Sequence, residues 1–309
     1  METAFKTDLY QKLLAKPLAE SSVKLYIRNL EKLNDNKPLK NLNFLKNCEA
    51  TVEKLNKYKE NTKRNYLISI CSVLGLDKTS KPKQKLYDCY FKSMIEKNNQ
   101  IKEVDATNTK SETQDKNWVE WADILEMHSE LKKQVDGFGK KLSEAEYETL
   151  LQYMILSLYV LQPPRRNADY QFMEIVKKLP SDQTQNYLDI EKNEMTFNKF
   201  KTVRKDGSLT IPVNEPLMEA VKLYMKYHPL NKKKFEPIPF LVYYNGEPLK
   251  AVNSMTRILN TIFKPKKIGS SMLRHAYLSS KYGKVLEEEK QDAKMMSHTV
   301  ATAQGYIKN

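Results

Sequence analysis

The amino-acid sequence predicts a mainly α-helical protein that carries a small antiparallel β-sheet and divides into two domains. Two patterns predict this fold class. Apolar residues recur at helical spacing along most of the chain, as Val23, Ile27 and Leu30 do near its start. Short β-prone runs separated by turn residues occur mainly in one region, between about residues 186 and 213.

The first predicted domain, residues 1–98, is rich in amphipathic helices. Three stretches show the pattern most clearly: ESSVKLYIRNLEKL from Glu20, NTKRNYLISICSVLGL from Asn61 and KQKLYDCYFKSMIEK from Lys83. Lysine and arginine recur on the polar faces of all three. Such a face is usually only solvated surface. Here it accompanies a large surplus of positive charge, which favours contact of these helices with DNA.

Residues 99–116 are predicted to link the two domains. This stretch is polar, rich in Thr, Asn and Asp, and without apolar periodicity. Such a composition is typical of a connection with no packing face of its own. The second domain would then span residues 117–309.

The second predicted domain begins with two helices and continues with the sheet. Trp118 and Trp121 open an amphipathic helix, on whose surface His128 is expected. Ser143 and Glu146 have the spacing of a capping box and predict the start of a long buried helix. The runs NYLDI, NEMTFNKF and SLTIPV predict the strands.

The remaining chain is expected to be mostly helical. PLMEAVKLYMKYH and VNSMTRILNTIF have helical periodicity, and PFLVYYNGEPL between them is expected to be extended. The last part of the chain is expected to form three short helices. Met295 and Met296, near its end, are expected in the core.

The charge balance favours a polyanionic partner. Lysine and arginine number 52 against 38 aspartate and glutamate among 309 residues, so the formal net charge is +14. Nucleic acid is the commonest polyanion that such a surplus serves. Hydrophobic residues make up 40% of the chain and charged residues 29%, which is typical of a globular protein with a real core.

Cysteine usage and hydropathy predict an intracellular protein that is not secreted. Cys48, Cys71 and Cys89 lie far apart without zinc-site spacing, so we expect free thiols in a reducing compartment. No secretory signal is recognisable, and the most apolar run, LLQYMILSLYVL from Leu150, is too short to span a bilayer. No nucleotide-binding motif is present. We therefore expect no membrane, cofactor, metal or small-molecule partner.

Candidate site residues are basic or phenolic and lie far apart in the sequence. Two prolines should end the buried helix and present Arg165 or Arg166 at its exit. The segment FNKFKTVRKDGS places several basic residues on the strand pair and its turn. Later stretches add MLRHAYLSS and MMSHTVATAQGYIK, which contain Arg274, His298 and Tyr306.

The order of these pieces resembles the tyrosine recombinases, also called phage-type integrases. That family has an Arg followed three residues later by an acid, a Lys in a β-hairpin, an LRH helix, and a His-containing turn before a final Tyr. The matching residues here are Arg166 and Asp169, Lys201, Arg274 and His275, His298 and Tyr306. The resemblance covers about residues 118 to 309 and is closest in character to integrases of large DNA viruses, virophages and related mobile elements. Residues 1–98 resemble the family's core-binding domain.

The resemblance implies cleavage and rejoining of double-stranded DNA through a covalent 3′-phosphotyrosyl intermediate, without metal or ATP. Tyr306 would be the nucleophile, and Arg166 and Arg274 would hold the scissile phosphate. Lys201 would protonate the leaving 5′ oxygen, and His298 would hydrogen-bond the phosphate. Such enzymes assemble as tetramers on DNA. The chain would therefore act at DNA, in a prokaryotic cytoplasm or in the viral factory or nucleus of a eukaryotic host.

One position departs from the family pattern. Three residues before Arg274, where the family usually has His or Lys, this chain has Ser271. A serine donates a hydrogen bond but is a poor base at neutral pH. Either deprotonation of Tyr306 needs no base, or it uses a neighbour such as His275, or the register of the match differs here.

Several alternatives stay open on the sequence alone. The same chemistry would serve a type IB topoisomerase-like or telomere-resolving enzyme. A non-catalytic DNA-binding protein on the same fold is also compatible, and Ser271 favours it. Within the hairpin, Lys199 and Lys205 compete with Lys201 for the role of general acid.

Overall fold

The chain folds into two compact units. A computed structural model describes residues 3–231 and 237–308 and divides the chain into Met1–Thr109 and Lys110–Asn309. Helices predominate in both units, and the described residues form one five-stranded sheet, in the second unit. The predicted fold class, mainly helical with a small sheet, is therefore confirmed.

The described residues of the first unit form a helical bundle. Its elements are α1 (Ala4–Leu14), α2 (Glu20–Leu33), α3 (Cys48–Lys54), α4 (Glu60–Leu74) and α5 (Lys81–Ala106), with 3₁₀ turns at Asn43–Leu45 and Leu55–Lys57. Helix α4 packs against both α2 and α5. Ile27, Leu67 and Tyr90 are among the buried residues of this core. All three amphipathic stretches predicted in this region are helical.

The segment predicted as an interdomain linker is helical over most of its length. Helix α5 continues to Ala106, and a short helix, α6, spans Glu112–Asn117. Ser111 and Gln114 form a capping box at the start of α6. Exposed helices need favourable local propensity and caps but no apolar stripe. The absence of periodicity in residues 99–116 therefore did not predict the absence of helix.

Two of the three cysteines form a disulfide, so the expectation of free thiols is wrong for them. Cys48 at the start of α3 and Cys89 in α5 are bonded, with their Cα atoms 6.5 Å apart and a separation of 41 positions in sequence. The pairing depends on α3 packing against α5, which the cysteine spacing does not show. Cys71 is free and buried. Burial raises the pKa of its thiol to about 12.

The second unit is built around a buried central helix. Its helices after α6 are α7 (Trp121–Asp136), α8 (Glu144–Val160), α9 (Asn167–Gln171), α10 (Val203–Asp206), α11 (Glu215–Tyr227), α12 (Ser254–Ile262), α13 (Ser270–Met295) and α14 (Val300–Tyr306). Helix α8 begins at the predicted Ser143–Glu146 capping box. It is buried along most of its length and contacts α7, α11, α12 and α13.

The sheet is mixed, whereas the sequence predicted a purely antiparallel one. Its strands are β1 (Glu174–Val176), β2 (Tyr187–Asp189), β3 (Glu194–Phe197), β4 (Leu209–Pro212) and β5 (Ile238–Pro239), in the order β4-β3-β2-β1-β5. The three predicted strands, β2 to β4, pair antiparallel, but β1 joins β2 in parallel. Strands β1 and β5 have three and two residues, too few to show an alternating pattern in sequence.

The last part of the chain differs most from expectation. Instead of three short helices, it forms the 26-residue helix α13 and the seven-residue helix α14. Met295 and Met296, expected in the core, are 78% and 54% exposed. Gly283 lies in the middle of α13, where a glycine weakens a helix by only about 1 kcal/mol, and this cost did not stop the helix.

His128 is buried, contrary to its predicted position on the helix surface. Its Nε2 lies 2.9 Å from Ser157 Oγ, and its ring stacks on Tyr153. Burial, and to a smaller extent the charge of Lys132, lowers the pKa of His128 from 6.5 to about 4. The imidazole is therefore neutral at physiological pH and serves the packing between α7 and α8.

Acidification is expected to destabilise the second unit through His128. Because the folded-state pKa of His128 is lowered, the unfolded chain binds more protons between pH 6.5 and about 4, and stability is lost as the pH falls through that window. The loss should be on the order of 2 kcal/mol at a pH near 4.5. Urea unfolding at neutral pH and near pH 4.5 measures it. His128→Gln should show a shallower pH dependence, and equal dependence in both chains would contradict the assignment.

Candidate active site

A cavity of about 300 Å³ in the second unit is lined by arginine side chains. Arg165 and Arg166 come from the segment between α8 and α9, and Arg274 comes from α13. The connection between β3 and β4 contributes Phe200 and Thr202. We call this space the arginine cavity. It brings together Arg166 and Arg274, the two arginines that the sequence analysis paired.

Arg166 is placed by the exit of the buried helix α8. This helix ends at Val160, the prolines follow, and Arg166 takes an extended backbone conformation (φ −78°, ψ 152°) as the N-cap residue of α9. Proline cannot continue a helix, so the chain leaves α8 before the arginines, as predicted. Among the described residues, none forms an ion pair or a side-chain hydrogen bond with the guanidinium of Arg166.

Arg274 approaches the same cavity from the second turn of α13. Its Nε donates a hydrogen bond to the backbone oxygen of Ser270 at 3.4 Å. No carboxylate of the described chain forms an ion pair with it, although Asp206 also lines the cavity. Arginine stays protonated at all physiological pH values, and its planar fork matches the oxygens of a phosphate. Two such groups in one cavity make an anion site of the kind that suits a phosphodiester.

Arg165 has a different environment from its two neighbours. Its Nε donates to Asp169 Oδ2 at 3.0 Å, and its guanidinium lies over the Phe197 ring at 3.9 Å from the centroid. The Asp169 side chain is only 3% exposed, so Arg165 compensates a buried carboxylate. Asp169, which the sequence grouped with Arg166, thus holds Arg165 instead. The four-residue spacing of Arg165 and Asp169 along the chain was the signal that could have shown this.

Ser271 and His275, the other candidate supporting residues, line a neighbouring cavity. This cavity of about 250 Å³ shares Pro164 and Arg274 with the arginine cavity. Both side chains are exposed. Ser271 lies three residues before Arg274 on α13 and shares its face of the helix, whereas His275 follows Arg274 directly and does not. Both residues line the neighbouring cavity together with Arg274, so either one can approach a group bound there.

Lys201 lies beside the arginine cavity and does not line it. It belongs to the connection between β3 and β4, and its neighbours in sequence, Phe200 and Thr202, are lining residues. Lys201 is exposed, and no described residue is paired with its ammonium group. Its competitor Lys199 instead donates to Gln185 Oε1 at 3.0 Å. The remaining competitor, Lys205, lies in α10 and is also exposed.

His298 and Tyr306 are brought to each other but not to the arginine cavity. Their rings stack with centroids 5.4 Å apart and planes inclined by 10°. Tyr306 is 65% exposed, and His298 Nδ1 is buried with no hydrogen-bond partner among the described residues. Neither residue lines the cavity that contains Arg166 and Arg274.

The length of α13 explains this separation. Arg274 and Met295 lie near opposite ends of one uninterrupted helix, about 30 Å apart at 1.5 Å per residue. Helix α14 contacts α13, but even if it ran straight back it would recover only about 10 Å. Side chains on a helix lean toward its N-terminus, so Arg274 leans away from Tyr306. One copy of the chain in this conformation therefore does not assemble all the predicted residues around one phosphate.

Ser297 occupies a backbone position that favours glycine. The N–H groups of Ser297 and His298 donate to the oxygens of Lys294 and Ala293, which ends α13 with a Schellman motif. Ser297 has φ 57°, in the left-handed region where a side chain costs roughly 1 kcal/mol. This turn orients His298 at the start of the segment that leads to α14.

Replacing Ser297 by glycine is therefore expected to stabilise the turn. Ser297→Gly should stabilise local structure by about 1 kcal/mol, because glycine adopts positive φ without steric cost. Amide hydrogen exchange of the residues that end α13 measures the effect. Ser279→Gly, an exposed position within α13, is the matched control and should be destabilising by a similar amount. Faster exchange in Ser297→Gly would contradict the assignment.

Comparison with known protein families, characterised proteins and solved structures gave no match. None of the helices in residues 3–231 and 237–308 combines the length and hydrophobicity needed to cross a membrane. Within the same ranges, no group of three or more His, Cys, Asp or Glu is placed to hold a metal ion.

Proposed function

We propose that this chain cleaves and rejoins double-stranded DNA as a site-specific recombinase or integrase, with Tyr306 as its nucleophile. One observation carries the proposal: Arg166 and Arg274 share a cavity, and no carboxylate of the described chain forms an ion pair with either guanidinium. Two like charges in one cavity repel each other, and a bound phosphate would relieve that repulsion. The net charge of +14 agrees with a polyanionic substrate.

The proposed reaction exchanges one phosphoester bond for another. The Tyr306 Oη attacks the phosphorus, an Oη–P bond forms and the P–O5′ bond breaks. The phenol proton leaves Tyr306, and the departing 5′ oxygen takes up a proton to become a hydroxyl. Nothing is oxidised or reduced. Because the phosphotyrosyl ester keeps the bond energy, a 5′-hydroxyl can attack it to rejoin DNA without ATP.

The remaining candidate residues have supporting roles in this scheme. Arg166 and Arg274 stabilise the negative charge that grows on the nonbridging oxygens, worth about 3–4 kcal/mol for a well-placed donor. Lys201, unpaired and beside the cavity, protonates the 5′ oxygen. His298 donates a hydrogen bond to the phosphate. The base for Tyr306 is not a histidine or lysine at position 271, since serine stands there.

A nicked suicide substrate tests the proposal directly. When a short 5′ fragment diffuses away after cleavage, the phosphotyrosyl bond cannot be resealed, and a covalent protein–DNA adduct accumulates. We expect this adduct with the native chain, and peptide mapping should place the DNA on Tyr306. Intact DNA binding without any adduct would overturn the enzymatic proposal.

Binding to duplex DNA should depend strongly on salt. Phosphate contacts by lysine and arginine release counterions, so affinity should fall about 10³-fold between about 50 and 200 mM salt if six contacts form. Fluorescence anisotropy over a salt series measures the slope. A flat response would contradict a phosphate-based interface.

The structure of the DNA products distinguishes the proposed recombinase from enzymes with related chemistry. A recombinase assembled as a tetramer on two duplexes exchanges strands between them. Relaxed circles without exchange would indicate a type IB topoisomerase-like enzyme, and hairpin ends would indicate a telomere-resolving one. Ser271 is the feature that favours a non-catalytic DNA-binding protein, and the suicide substrate decides that alternative.

A further inference from the structure

The middle of α13 carries large apolar side chains that are about half exposed in the described chain. Leu278, Tyr282, Val285 and Leu286 are 52%, 44%, 60% and 49% exposed. Their spacing of four, seven and eight residues places them on one face of the helix. A helix face of this kind is normally buried against another element. The helix that leads to His298 and Tyr306 therefore has an exposed apolar face.

We propose that Tyr306 acts in trans: α13 of one copy packs its apolar face against a second copy and delivers Tyr306 to the Arg166–Arg274 cavity of that copy. The inference rests on the proposed function and adds which copy supplies the nucleophile. We assign a second copy to the apolar face for one reason. With α13 unbroken, the arginine cavity of a chain does not receive its own Tyr306, so another copy has to supply the tyrosine.

Two features of α13 favour delivery to a second copy over closure within one chain. The helix is continuous from Ser270 to Met295, so it holds Tyr306 away from Arg274 of its own chain. Closure within one chain would have to break the helix, and the one glycine in its middle, Gly283, has helical backbone in the structure. Delivery in trans requires no break. Tyr306 and Ile307, 65% and 67% exposed, are already accessible to a neighbour.

The chemistry in trans is the same bond exchange between two chains. The Oη of Tyr306 from one copy bonds to the phosphorus held by Arg166 and Arg274 of the other copy, and the P–O5′ bond breaks. The phenol proton leaves, and the 5′ oxygen gains a proton from Lys201 of the copy that holds the phosphate. The DNA is therefore covalently attached to the copy that supplied Tyr306, and not to the copy whose arginines hold the phosphate.

Mixing two inactive variants tests this directly. Tyr306→Phe keeps the arginine cavity but lacks the nucleophile, whereas Arg274→Ala keeps the nucleophile but lacks half of the phosphate site. Tyr306→Phe alone should give no adduct on the suicide substrate, and Arg274→Ala alone should give at least about 100-fold less than the native chain in the same reaction time. An equal mixture should give about one quarter of the native yield, since acceptor and donor are each correct half the time. The DNA should be attached to the Arg274→Ala chain, which a mass tag identifies.

Failure of the inference and failure of the proposed function give different results. If the native chain forms the adduct but the mixture does not, Tyr306 acts within its own chain and the inference is overturned. If the native chain forms no adduct, the proposed function fails instead. Arg166→Ala in place of Arg274→Ala gives a second, independent pair, and DNA affinity of each variant shows that it is folded.

Gly283→Ala provides a further discriminating variant. A Cβ at Gly283 would meet nothing within 4 Å, and alanine stiffens a helix that glycine weakens. Delivery in trans predicts that adduct formation persists in Gly283→Ala. If the chain instead closes on itself by bending at Gly283, the variant should lose adduct formation. That result would also overturn the inference.

Discussion

Replacing Tyr306 by phenylalanine is expected to abolish the covalent adduct while leaving DNA affinity within about twofold of the native value. The change removes only the Oη that forms the bond to phosphorus. The phenyl ring can keep its stacking on His298, which lies 5.4 Å away between centroids. Because Tyr306 is 65% exposed and lies outside the core, the fold should not depend on its hydroxyl group.

Tyr244→Phe is the matched control for this experiment. Tyr244 is also exposed, at 42%, and lines neither the arginine cavity nor its neighbour, so it loses an equivalent hydroxyl at a position with no proposed role. Adduct yield on the suicide substrate and DNA affinity by anisotropy are measured for both variants. If Tyr306→Phe forms as much adduct as the native chain, another residue is the nucleophile and the assignment is wrong.

Replacing Arg274 by alanine is expected to lower the cleavage rate by about 100-fold or more, because a well-placed charged donor is worth about 3–4 kcal/mol in the transition state. Arg274 lines the arginine cavity and forms no ion pair with the described residues. Its removal therefore leaves no carboxylate without a partner. The expected signature is a large loss of rate with a smaller loss of DNA affinity, since the developing charge is concentrated on the scissile phosphate.

Two controls make the Arg274 result interpretable. Arg257→Ala removes the same charge from an exposed position on α12 that does not line the cavity, so it should change the cleavage rate by less than about twofold. Arg274→Lys keeps the charge but loses the planar fork and should remain clearly impaired. Equal rates for Arg274→Ala and the native chain under single-turnover conditions would remove Arg274 from the site.

Helices were predictable from sequence wherever an apolar stripe or a cap marked them. Helix α8 begins at the predicted Ser143–Glu146 box and ends before the prolines. Helix α6 was missed because it has a cap but no buried face. The strands of the hairpin were predictable, whereas β1 was not, because three residues carry too little pattern and their parallel partner is chosen by packing.

Part of the grouping of the candidate residues depends on the tertiary structure. Arg166 and Arg274, which are 108 positions apart in sequence, line the same cavity, but their proposed role in holding a phosphate stays a prediction. The partner of Asp169 was not foreseen, because the choice between Arg165 and Arg166 depends on which side chain faces the buried carboxylate and the Phe197 ring. The roles assigned to Lys201, His298 and Tyr306 remain predictions.

The sequence by itself determined the mainly helical class, the hairpin, the exit of the buried helix at its prolines and the surplus of positive charge. These depend on periodicity, local backbone chemistry and composition, which are properties of short stretches. Only the tertiary structure decided which cysteines pair, which arginine binds Asp169, and how far Tyr306 lies from Arg274. Those depend on contacts between residues distant in sequence and on the uninterrupted length of α13, which no short stretch specifies.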